Sequence, residues 1–112
     1  MIYIGFSTRT HKLYARIFCK KFKHCAPVVI DGNKCFLYQF VKRNNVIKIV
    51  LTQRDLLILE HYGWIFIKYN AKNAPRNAET ISSLTCVQFT KKFCRINEKR
   101  ILTPDDLFKH LK

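Results

Sequence analysis

The tetrapeptide Asp31-Gly32-Asn33-Lys34 separates two β-rich runs, His24 to Ile30 and Cys35 to Val41, and no other feature narrows the fold as much. Asp-Gly is the strongest short-range hairpin signal, because glycine reaches the positive φ that a tight turn demands. A lone hairpin is barely stable in water, so further strands must join it. With Asp31 and Gly32 as the two turn residues, Ile30 pairs with Asn33 and the register sets His24 opposite Gln39. A slip of one residue would turn Gln39 to the other face. Pro27 has no N–H to give a ladder, which predicts local irregularity in the first of these strands.

The remaining segments supply the partners. Ile2 to Phe6 reads as a strand, and Ser7, Thr8 and Thr10 hand it over to an amphipathic helix from about His11 to Lys21. Val46 to Leu51 and Trp64 to Tyr69 read as further strands. Between them Thr52 and Asp55 cap a helix over Gln53 to Tyr62 that Gly63 closes. The polar, aperiodic stretch Asn70 to Thr80 reads as an exposed loop leading toward Cys86. Phe89, Phe93 and Ile96 mark one face of a helix over Cys86 to Arg95, and Thr103-Pro104-Asp105-Asp106 opens a last one. The expected class is α+β with an antiparallel central sheet. At 112 residues and 48% apolar, the chain suits one domain spanning 1–112.

Lys and Arg number 21 against seven Asp and Glu, a net charge of +14 that favours anionic partners. The charge is spread along the chain, without the dense block of a nucleic-acid-binding tail, and a solvated lysine-rich surface explains it equally well. Five cysteines, an odd number with no CxxC pair, fit a reducing compartment. The start, MIYIGFSTRT, has neither a basic leader nor an apolar span. The expectation is a protein of the producing cell's cytoplasm, with no signal peptide and no transmembrane segment. Cys19, His24, Cys25 and Cys35 match no zinc-ligand spacing. Gly5, Gly32 and Gly63 are isolated and build no phosphate loop, so neither metal nor cofactor is expected.

Chemistry concentrates on Cys86 and His24. A thiol at a helix N-terminus lies at the positive end of the macrodipole, which favours the thiolate, and an imidazole beside it completes an activated nucleophile. Cys19, Cys25, Cys35 and Cys94 read instead as small core residues, and His11, His61 and His110 as solvent-facing. Trp64 and most of the tyrosines read as core packing.

Three stretches carry a resemblance: YIGFSTRT leading into a helix, KHCAPVVIDG, and TCVQFTKKFCRI followed by ILTPDDLFKHL. Together they resemble the circularly permuted papain-like cysteine hydrolases, the NlpC-like group of phage and bacterial amidases with the lecithin retinol acyltransferase relatives. The resemblance implies a permuted papain-like fold in which the histidine strand precedes the cysteine helix. It implies Cys86 as nucleophile, His24 as general base, Gln39 as the group orienting the ring, and the Cys86 amide as an oxyanion donor. The implied substrates are amides first, in peptidoglycan stem peptides or in protein or isopeptide bonds, and also lipid acyl esters. Gln39 departs from a carboxylate, which would stabilise an imidazolium better. A rival expectation is a basic, non-enzymatic module that docks on nucleic acid or on an acidic protein.

Overall fold

A computed structural model of the chain describes residues 1–8, 22–72 and 74–112. The helix expected over His11 to Lys21, with Cys19, lies outside these residues. Five strands form one sheet in the order β4-β3-β2-β1-β5: β1 Ile2–Ser7, β2 His24–Asp31, β3 Lys34–Lys42, β4 Asn45–Leu51 and β5 Ile65–Tyr69. Every pairing is antiparallel, as expected. Three helices accompany the sheet among the described residues: α1 Gln53–His61, α2 Cys86–Cys94 and α3 Pro104–Leu111.

The β2–β3 turn corrects one expectation. Asp31 pairs with Lys34, so Gly32 and Asn33 are the turn residues, and Gly32 alone of the two takes a positive φ, +61°. A glycine of positive φ in the first position makes a type II′ turn, whose twist suits the strands. The register moves by two residues. Val28 faces Leu37, and His24 is not opposite Gln39. An even slip preserves the faces: Leu37 and Gln39 alternate along β3 as Val28 and His24 do along β2, so Gln39 stays on the histidine's side of the sheet.

The two faces bury separate clusters. Ile2, Ile4, Phe6, Cys25 and Phe40 pack against Val87, Phe89 and Phe93 of α2 and Leu107 of α3. Phe6, Phe22 and Phe108 meet with ring centroids 4.7 to 5.4 Å apart, while the Phe22 N–H donates to Asp105 Oδ1 at 3.1 Å. The opposite face, Ala26, Val28, Cys35 and Leu37, packs against Leu56 and Leu59 of α1 with Tyr3, Trp64 and Phe66. The expected cap of Thr52 with Asp55 on α1 forms as a full capping box, and the expected hydroxyl cap Thr103 on α3 also closes a box, with Asp106. The sheet's outer strand, β4, is largely exposed.

Candidate active site at Cys86

Cys86 is the first residue of α2, the place its sequence context predicts. The Thr85 hydroxyl caps the helix by accepting the Gln88 N–H at 3.1 Å, and Gln88 Oε1 accepts the Leu84 N–H at 2.9 Å. The strap before the cap is gripped by the β3–β4 turn. There Asn44, at φ +56°, accepts from the Ser82 hydroxyl (3.0 Å) and the Ser83 N–H (3.2 Å), and its own N–H donates to the Ser83 carbonyl at 3.3 Å. Asn44 was not singled out in the sequence. Its signal was the Asn44-Asn45 pair, since asparagine tolerates the left-handed turn position better than most residues.

Pro27 prepares the other side of the site. The Ile30 N–H donates to the Met1 carbonyl at 2.9 Å, so even-numbered residues of β2 turn their N–H groups toward β1 and odd-numbered ones toward β3. The donor that Pro27 lacks therefore falls on the β3 side. Paired register between β2 and β3 runs from Val28 to Asp31. Ahead of it, Cys25 meets the start of α2, its sulfur 3.9 Å from that of Cys86. The irregularity expected at Pro27 is thus an opened seam where the start of α2 meets the strand.

Four influences act on the Cys86 thiol and carry it well below the ordinary thiol value of 9.0. The largest is a hydrogen bond from the Cys25 thiol, whose sulfur lies 3.9 Å away. Burial opposes it. The hydrogen bond and charge of His24 come next in the same downward direction, followed by the Cys25 N–H. Cys25 moves the opposite way, raised well above 9.0 by burial and then by its bond to, and repulsion from, Cys86. Thr90 Oγ1 lies 3.7 Å from the Cys25 sulfur, and that hydroxyl donates to the Cys86 carbonyl at 2.8 Å. The two thiols are thus shifted in opposite directions, Cys86 downward and Cys25 upward.

His24 is buried, and its Nε2 has no hydrogen-bond partner. Trp64 meets the imidazole edge-on, with centroids 6.0 Å apart at 86°. Gly5 makes room for this wall: a Cβ there would come within 2.6 Å of Phe66 Cε1 and 3.0 Å of Trp64 Cε3, and the two rings stack at 5.8 Å.

Cys86 and His24 are therefore brought together, whereas Gln39, half-buried on the histidine's face, does not bond Nε2. Cys25, read as plain core, is the thiol's largest influence, and its sequence signal was adjacency to His24. Trp64, also read as packing, borders the histidine. Cys35 and Cys94 are buried and His61 and His110 exposed, as expected. Pro75 to Glu79 of the expected access loop line a cavity of about 510 Å³ with Tyr38, Asn44, Lys48 and Phe93; neither Cys86 nor His24 borders it. Among the described residues, no group of three or more His, Cys, Asp or Glu could hold a metal ion, and no helix is long and apolar enough to cross a membrane. No protein-family model, curated protein or solved structure matches the chain.

Proposed function

We propose that this chain is a cysteine-dependent hydrolase of the permuted papain-like kind, acting on amide bonds through a covalent acyl-enzyme on Cys86. The observation that carries the reading is the meeting of a helix-opening thiol, its pKa drawn well below the ordinary 9.0, with the imidazole of a strand that precedes it in the chain. The Cys86 sulfur attacks the substrate carbonyl carbon. The Cys86 N–H, one of the free donors in the first turn of α2, faces the charge that develops on oxygen. His24 delivers its proton to the leaving amine, then takes one from the water that releases the acyl group. Gln39, on the same face as His24, is the side chain we assign to the orphaned Nε2 in the reacting complex, since catalytic hydrogen bonds often tighten when substrate binds.

The net charge of +14 suits an anionic substrate: peptidoglycan stem peptides, protein or isopeptide bonds and lipid acyl esters are the candidate classes. The reduced thiols suit action within the producing cell.

An electrophilic acyl probe at neutral pH, mapped by peptide mass spectrometry, tests the proposal. Cys86 takes the label ahead of every other cysteine, and His24→Ala lowers its rate by about 10²-fold with the fold retained. Uniform labelling of the cysteines overturns the reading. It would favour the second one, a basic module for nucleic acid or another polyanion, which the charge supports and whose binding would fall steeply with salt.

A further inference from the structure

We propose that Cys25 and Cys86 form an oxidisable dithiol, a modification site that hydroperoxides convert into an intramolecular disulfide. The inference goes beyond the hydrolase reading and needs only the two sulfurs, not turnover. One belongs to the second residue of β2 and the other to the first residue of α2, and they lie 3.9 Å apart in direct hydrogen-bonding contact. A disulfide of ~2.05 Å requires the two sulfurs to close from 3.9 Å, with Cys86 moving at the end of a helix, where ends fray. The other described thiols are placed differently. Cys35 packs in the cluster on the opposite face of the sheet, and Cys94 is the last residue of α2.

The division of protons suits the chemistry. Cys86 carries the nucleophilic electron pair, and its sulfur attacks one peroxide oxygen. An S–O bond forms, the O–O bond breaks, and the departing hydroxide takes up a proton from solvent as water. The Cys25 sulfur, already in contact, then attacks the sulfenic sulfur. The S–S bond forms, the S–O bond breaks, and the Cys25 thiol proton leaves with the hydroxyl as a second water. Two thiols are oxidised to a disulfide and one peroxide is reduced to two waters. Contact between the sulfurs favours this resolution over further oxidation of Cys86. The bond occupies the nucleophile, and a dithiol reductant frees it.

The test treats the reduced full-length protein with hydrogen peroxide at pH 7, blocks remaining thiols with iodoacetamide and maps the peptides by mass spectrometry. The expected product is a cross-link joining the peptides of Cys25 and Cys86, with a roughly tenfold loss of Cys86 labelling that dithiothreitol reverses. Cys25→Ser removes the cross-link and lets Cys86 proceed to the sulfinic acid. The proposal is overturned if wild-type Cys86 reaches the sulfinic acid as readily as it does in Cys25→Ser, stays unoxidised, or links to a different cysteine. The wild-type result decides the matter even where the variant folds poorly. Acyl-probe labelling of the reduced protein is scored separately, so a failed disulfide leaves the hydrolase reading intact and a failed probe leaves the dithiol intact.

Discussion

Cys86 opens α2 at 7% exposure and Cys94 closes it at 2%, so burial acts to raise the pKa of both thiols. At the far end it acts alone, and Cys94 is pushed up to about 12. At the near end it is outweighed by the Cys25 thiol, His24 and the Cys25 N–H, and Cys86 falls well below 9.0. The helix dipole adds to the contrast, favouring negative charge at the first turn and disfavouring it at the last. The two ends of one nine-residue helix thus shift their thiols in opposite directions.

The largest effect that could break this contrast is in alkylation. Thiolate is the reacting form, so a lowered pKa makes the Cys86 rate level off at a pH below 9.0, whereas the Cys94 rate climbs only toward pH 12. At pH 7, with Cys94 ionised to about one part in 10⁵, Cys86 is expected to alkylate at least ~10³-fold faster by time-resolved mass mapping. Similar rates at the two ends would dissolve the comparison.

Gly5→Ala sharpens it. The added methyl drives into Phe66 and Trp64, so overpacking should cost about 1–3 kcal/mol in urea unfolding. Because Trp64 borders His24, the alkylation midpoint of Cys86 should also rise while that of Cys94 holds; a stability loss with the Cys86 midpoint fixed would detach Trp64 from the site.

Thr85→Ala is the mildest change, expected to lower stability by about 1 kcal/mol through loss of the cap. Hydrogen exchange should quicken in the first turn of α2 and leave the last turn, closed by the Ile96 N–H bond to Lys91, as it was. Equal loosening at both ends would contradict the local role given to the cap.

Where local chemistry decides structure, the sequence was readable. Thr52 with Asp55 and Thr103 with Asp106 are complete capping signals, Pro104 marks a first turn, and alternating apolar residues set the strands. Turn identity was harder. Asp-Gly and Gly-Asn both describe a tight hairpin, and the choice between them displaced the β3 register by two residues. The Cys86–His24 pair was legible because a helix start and a strand start each leave a local mark. The roles of Cys25, Trp64 and Asn44 were not, because each depends on contacts across the fold: a seam opened at Pro27, a ring lying over Gly5, and a turn clamping a strap about forty residues away.

The outer strand β4 has a practical consequence. Ile47 is 50% exposed and Val50 63%, with Lys48 lying over the Phe36 ring at 4.4 Å. An exposed, branched edge of this kind is a template for edge-to-edge association, which mutual repulsion at +14 opposes. That repulsion reaches about 10 Å at 0.1 M salt and only about 3 Å at 1 M. Concentrated salt used to strip polyanions during purification would therefore also remove the colloidal protection, and this protein should keep best in dilute buffer.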